Sequence, residues 1–372
     1  MKQYENFQWM IQYLKTLDDL NAKILEGLGR YGPRNISLLA KTLKLPPTTV
    51  AFRVKKLLRN GFLRVHAIPN YSQLGLKHGF LVVESLPGYK EKLQKTILDV
   101  GYWTHVLRCY GKIDGLYATF AFPMEHEDKL LEYFKLVATL HKAPQCFFYW
   151  TTNPCYVDPD FSWFDFDKKT WSIKWQDWIN EISNASTLLP EYLKESDAFA
   201  VNADKIDLLL LKELEKDGSA EFTKLAEVVK ITPEGIGYRY HKHIIGKNLI
   251  SDYQVAIFPY PTPISEACTF IIKFASQKNL AMFSNTLQNK PFVRSYFKAV
   301  GQDILIVNVY VLRNEFTTFL DALNSLIDKS LIESFFYVIH DLTSFKRQTI
   351  SYEYFSDNRW KYDHESMLKS IR

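Results

Sequence analysis

The chain repeats itself, and that most constrains what it can fold into. At an offset of 186 positions Leu25 meets Leu211, Gly32 meets Gly218 and Leu39-Ala40 meets Leu225-Ala226. Pro47 meets Pro233, Val50 meets Ile236, Arg53 meets Arg239 and Lys56 meets Lys242 in the same register. At an offset of 189, Ser162, Phe166 and Trp171 answer Ser351, Phe355 and Trp360. A chain of 372 residues built this way is two copies of one architecture joined in tandem.

Each copy opens with helical periodicity. Tyr4, Phe7, Ile11, Leu14 and Leu17 form one stripe, predicting a leading helix that packs on a partner surface. Asp18 and Asp19 read as N-cap and first turn of a second helix with Leu20, Ile24, Leu25 and Leu28 inward, ended by Gly32-Pro33. Residues 34–64 then give a short helix, a turn at Leu45-Pro46-Pro47, and another helix with Val50, Val54, Leu57 and Leu58 inward. This stretch carries eight Lys and Arg and no acid. Gly61-Phe62-Leu63 closes it and opens an extended segment to Pro69, so the pattern is a helix-turn-helix with a short hairpin wing.

From Lys77 the period changes. Strands over 79–84, 103–109, 116–122 and 145–152 alternate with helices over 89–100 and 125–141, giving β-α-β-β-α-β. That order places two helices on one face of a four-stranded antiparallel sheet. Residues 267–340 repeat it. The fold class is α+β, with winged helix-turn-helix units at 1–69 and 201–257 and ferredoxin-like domains at 70–165 and 258–356. An acidic connector at 166–200 and a tail at 357–372 complete the chain. In the connector Trp171, Trp175 and Trp178 fall at i, i+4 and i+7, predicting a docked helix followed by a looser linker through 190–200.

A winged helix-turn-helix followed by this domain resembles the Lrp/AsnC family of transcription regulators. The residues that carry the resemblance are 20–25, 38–40, 45–57 and 61–63, with Gly111-Lys112-Ile113-Asp114 similar to the family's G-x-x-D turn. The resemblance implies pairing through the ferredoxin-like sheets, here as an intrachain pseudo-dimer, with a homodimer of the fused chain also compatible. It further implies a small effector, such as an amino acid, near Gly111 and Asp114 and near their shorter counterpart Gly301 and Asp303.

With Val50, Val54 and Leu57 inward, Thr48, Thr49, Phe52, Arg53 and Lys56 face outward at the start and middle of the basic helix. They are the candidates for double-stranded DNA, flanked by Lys41, Lys44 and Arg59. The second copy offers Tyr238, Arg239 and Lys242, but Glu234 opposes phosphate and Gly235 and Gly237 weaken the helix. A net charge of +5 permits a nucleic-acid partner without demanding one.

Other classes are disfavoured. The four cysteines form no metal-binding pair, His241 and His243 point apart on a helix, and the other histidines are scattered, so no metal and no cofactor are expected. No GxSxG, P-loop, HExxH or dinucleotide fingerprint occurs, so no enzyme is expected. No signal peptide or apolar span is visible, and a cytoplasmic protein without a membrane is expected. Two alternatives stay open. One is an interaction protein of the transcription machinery that does not bind DNA. The other is an enzyme resembling siroheme decarboxylases, whose Arg-Arg-aromatic-Gly-like segment is not evident at Arg64-Val65-His66-Ala67.

Overall fold

The structure, a computed structural model, describes residues 2–257 and 264–371, apart from the side chains of residues 2–7, 9 and 370. The first copy runs α1 (Lys2–Thr16), α2 (Asp19–Tyr31), α3 (Ile36–Thr42), α4 (Pro47–Arg59), β1 (Arg64–Pro69) and β2 (Leu76–Glu84). It continues with α5 (Lys90–Asp99), β3 (Trp103–Gly111), β4 (Gly115–Pro123), α6 (Glu127–Leu140), β5 (Cys146–Thr151) and β6 (Cys155–Tyr156). A small ribbon of β7 (Phe164–Asp165) and β8 (Thr170–Trp171) leads to α7 (Trp175–Ser183). The second copy runs α8 (Lys205–Lys216), α9 (Phe222–Val229), α10 (Pro233–Arg239), β9 (Ile250–Ala256), β10 (Ser265–Phe274) and α11 (Gln277–Ser284). It closes with β11 (Val293–Lys298), β12 (Ile304–Leu312), α12 (Arg313–Asp328), β13 (Ile332–Arg347), β14 (Phe355–Ser356), β15 (Arg359–Trp360) and α13 (His364–Ile371).

Local chemistry sets the helix ends. Asp18 caps α2 by accepting the Asn21 amide, and Gly32 ends it at φ 77°, a conformation open to glycine. Asp204 caps α8 in the same way, in a reciprocal box with Asp207. Tyr4 and Phe7 of the expected leading stripe lie outside the described side chains. In the rest of α1 Tyr13 is buried and Ile11 exposed, and Leu17 is buried just past the helix end. The face that docks is rotated from the one expected, because Tyr13 packs edge-on against Phe62 beneath the first helix-turn-helix.

Neither wing is a local hairpin. β1 pairs antiparallel with β9 from the other copy, Arg64 opposite Ala256 and Ala67 opposite Tyr253. Ala67 and Tyr253 are equivalent positions of the two copies, so the pseudo-two-fold axis passes through this pair. Each strand runs out of its helix-turn-helix with no return strand of its own, and its counterpart supplies the missing ladder.

The ferredoxin-like sheets also merge. Nine strands follow the order β5-β2-β4-β3-β13-β10-β12-β11-β6. The end of β5 bridges β11 at Thr151 and Ala299, and β6 pairs with β11 at Tyr156 and Ser295. The sheet therefore closes on itself as a barrel, with β13 joining β3 at one seam and β5–β6 joining β11 at the other. β2 is buried on both faces, which explains its unbroken apolar run Phe80-Leu81-Val82-Val83. One face meets the helices and the other meets an interior cluster that includes Phe80, Val82, Tyr117, Ile271, Phe297 and Ile306.

The connector corrects two expectations. Trp171 is not on the helix; it sits in β8 opposite Phe164, and α7 starts at Trp175. The matching ribbon pairs Phe355 with Trp360, so Phe355 answers Phe164 rather than Phe166, the first loop being two residues longer. The stretch 190–200 is anchored and not loose. Leu193 is fully buried, and Glu195 binds the Lys298 ammonium and the Gly301 amide. Trp175 and Trp178 fill the core of the second ferredoxin-like domain against Phe292 and Phe319.

Candidate nucleic-acid interface and the barrel cavity

On α4, Thr48, Phe52, Lys56 and Arg59 are exposed, as are Lys41 and Lys44 beside it, while Thr49 is half-buried. Phe52 is 67% exposed and Tyr238, its equivalent on α10, 62%, so both helices present an aromatic ring outward. The helix starts differ. Pro46 leaves α4 without a side-chain cap, and the Thr49 amide is spent on the Pro46 carbonyl, leaving the Thr48 amide as the open donor. α10 is capped by the Thr232 hydroxyl on the Gly235 amide and carries Glu234 in its first turn. Past Arg239 it widens into a π-helix over Tyr240–Ile245. Lys242 stays exposed.

Arg53 and Arg239 do something the sequence reading did not foresee. Arg53 Nη1 donates to the Asp18 carboxylate at 2.9 and 3.2 Å and to the Asn21 side-chain oxygen at 3.1 Å. Arg239 Nη1 donates to Asp204 at 2.8 and 3.0 Å and to Asp207 at 2.7 Å. Both partner positions correspond across the copies. In each unit this arginine ties the recognition helix to the start of the first helix. Burial pulls the Asp18 carboxyl upward, but the Asn21 amide and Arg53 hold it below its usual range; Asp204 is held low against burial by Arg239 and backbone amides. Asp204, Asp207 and His243 converge closely enough to suggest a cation site. Arg239 already supplies the positive charge there, so the group reads as an ion-pair network.

The two units touch each other. Arg34 donates to the Ala220 carbonyl at 2.7 Å and lies over the Phe222 and Tyr240 rings. Lys55 approaches Glu221 at 3.5 Å.

The turn residues do not form a pocket together. Gly111 pairs with Val338 at the β3–β13 seam, and Asp114 accepts from Lys90. The Gly301 amide is bound to Glu195, and the Asp303 carbonyl accepts the Phe274 amide.

Inside the barrel, by contrast, lies a cavity of about 390 Å³ lined from both copies. His78, His105 and His340 each use one ring nitrogen on a threonine hydroxyl, those of Thr151, Thr119 and Thr269. Burial drives all three imidazoles towards the neutral form, to about 3, 3 and 4 respectively. Arg294 lines the same space and donates to the Ile257 carbonyl just beyond β9 at 2.8 Å. Bulges at Trp103/His105 and Val293/Ser295 turn Thr104 and Arg294 inward, out of phase with simple alternation. The spacing of His78 with Phe80 and Val82 along one strand face was the available signal for this site; the bulges left none.

No family profile matches the chain. Over 63 residues it is 39% identical to an uncharacterised HTH-type transcriptional regulator of Pyrococcus horikoshii and 41% identical to one of Pyrococcus furiosus. Each match takes in 17% of this chain and 42% of the relative, so the chain spans less than half the length of these curated relatives. The siroheme decarboxylase NirDL matches end to end, with a TM-score of 0.52 at 12% identity over 94% of this chain and 98% of that one. Its co-complex with an iron-uroporphyrin III analogue matches with a TM-score of 0.50 at 11% identity, covering 90% and 92%. Escherichia coli AsnC matches over 40% of this chain and 98% of its own, with a TM-score of 0.30 at 19% identity.

The expectation that the chain is no enzyme is overturned here. Its full-length structural neighbour is an enzyme, so missing catalytic motifs do not exclude chemistry on this scaffold. Among the described residues no helix is long and apolar enough to cross a membrane. The resemblance to Lrp/AsnC-type regulators stands, and the chain carries, from end to end, the duplicated α+β fold of NirDL.

Proposed function

We propose that this protein is a DNA-binding transcription regulator that grips duplex DNA chiefly through α4. The observation that carries this reading is the inequality of the two recognition helices. Thr48, Lys41 and Arg59 of the first unit are replaced at equivalent positions by Glu234, Glu227 and Ile245 in the second. The first surface suits phosphate and the second opposes it. The open Thr48 amide at the positive end of a 13-residue helix adds a phosphate donor that capped α10 lacks. The HTH-type regulators similar to part of the chain support the same reading. In this role a small effector acts at the ferredoxin-like domains, and DNA and that effector are the partners.

A titration of genomic DNA fragments at several salt concentrations tests it. Affinity falls steeply with salt, and Lys56→Ala with Arg59→Ala weakens binding across sequences while Lys242→Ala has a smaller effect. No binding at low salt defeats the reading.

The end-to-end match to NirDL favours a second reading, an enzyme acting on a tetrapyrrole. Incubation with siroheme followed by an absorption spectrum decides it: a bound Soret band with loss of carboxylate supports catalysis.

A further inference from the structure

With β5 and β6 together closing one side, the nine strands give eight wall positions, and a barrel of that size has an interior just wide enough to be filled by side chains or to hold one small ligand. This one is not filled. About 390 Å³ remains, where a cavity of about 150 Å³ suffices for benzene. Its walls combine apolar surface from Leu107, Phe297 and Val309 with polar groups that have no protein partner. The second ring nitrogen of His78 and the hydroxyls of Tyr71 and Tyr156 make no hydrogen bond among the described residues. His78 and Tyr71 are only 3% and 6% exposed. These polar groups face the open space of the cavity, where a ligand can meet them, so the set marks a site able to receive polar atoms.

Charge narrows the ligand. Arg294 is the one charged side chain among the described lining residues, which include no carboxylate. The three imidazoles are kept neutral by burial. A carboxylate is therefore matched by a guanidinium, while an ammonium finds no counter-charge and would be desolvated at a cost. The copies also differ on the cavity wall. Ala267 stands where the first copy has His78, so the second copy's wall is apolar at that position while Arg294, Asn308 and His340 keep polar groups elsewhere on it. A planar ring with one acid group meets both the apolar and the polar parts of this lining.

We propose that the barrel cavity binds a small aromatic or heterocyclic monocarboxylate lacking an ammonium group. Its carboxylate meets Arg294, its ring lies against Phe297, and its ring heteroatoms meet the imidazoles. The site is wired to the helix-turn-helix units. Arg294 holds Ile257 at the end of β9, and Tyr71 follows β1, so the ligand touches both roots of the ribbon joining the two units. Ligand binding stands apart from the regulator reading; only its effect on DNA affinity rests on that reading.

The test is calorimetry on the full chain with benzoate, phenylacetate, indole-3-acetate, indole-3-acetamide and L-tryptophan. At least one carboxylate binds saturably at one per chain, and the matching amide and L-tryptophan bind at least tenfold more weakly. Arg294→Met abolishes the preference for the acid. If that variant does not fold, Ala267→Leu, which fills the cavity from a strand position that holds histidine in the other copy, lowers affinity at least tenfold. No saturable carboxylate binding, equal binding of L-tryptophan, or unchanged affinity in Ala267→Leu overturns the proposal. A DNA titration of the unliganded chain is run in parallel. Loss of DNA binding with intact ligand binding counts against the regulator reading alone, and the reverse counts against the cavity.

Discussion

Arg53 shows how a residue type suggests a role that its neighbours assign otherwise. An outward arginine on a recognition helix reads as a DNA contact, yet here it spends its guanidinium on Asp18 and Asn21. Exposed ion pairs contribute about 0.2–1 kcal/mol, so Arg53→Ala lowers thermal stability slightly and weakens DNA binding by loosening α4. Lys56→Ala leaves the melting temperature unchanged and reduces the salt slope of DNA binding by about 1. Melting curves paired with salt titrations separate the two roles.

The buried titratable groups make a second residue-scale prediction. Burial lowers His78 and His105 to about 3 and His66 and His340 to about 4, so the unfolded chain takes up their protons first as pH drops below about 6.5. Their stabilisation is whole above that pH and lost as pH falls through the window down to 3–4. Burial raises Glu215 to about 8 and Asp158 to about 7; their stabilisation is present at low pH and lost as pH rises to those values. Four imidazoles outweigh two carboxyls between pH 5 and 6.5, and Glu215 acts alone above 7. The melting temperature therefore peaks near pH 6.5–7. In His78→Gln the acid limb is shallower by about 1.4 kcal/mol per pH unit. A pH-independent melting temperature between 5 and 7 contradicts this.

At the scale of elements, equal positions have been given unequal work. α4 and α10 keep the same arginine clamp and the same outward aromatic, but their starts carry opposite charge at Thr48 and Glu234. Glu234→Thr removes the repulsion and raises DNA affinity at low salt by a fewfold, measured in the same titration; unchanged affinity means that α10 stands clear of the duplex. The connector helix α7 was legible as an amphipathic aromatic segment, but not as part of the second core. Trp178 is fully buried and donates its indole N–H to Thr286. Trp178→Ala costs about 3–5 kcal/mol in chemical denaturation, by cavity formation. A loss below 1 kcal/mol means that the connector is not integral to that core.

At the scale of the molecule, the copies are completed by each other through the β1–β9 ribbon, the β3–β13 seam and the closure of β5–β6 on β11. Fragments 1–173 and 174–372, cut before α7 so that it stays with the core it fills, each leave these edges open when made separately and self-associate, whereas together they assemble one to one. Size-exclusion chromatography with light scattering reads this directly; a folded, monomeric single fragment refutes it. The sequence by itself determined the duplication, the helix ends and the β-α-β-β-α-β order. These rest on local periodicity and on capping at residues such as Asp18, Asp204 and Gly32. It also located the acid-free surface of the first recognition helix. Strand partners, the barrel and its cavity were decided by the tertiary structure. A strand's alternation specifies which side chains are inward but not which strand lies beside it. The bulges that aim Thr104 and Arg294 inward depend on the ladder that forms around them.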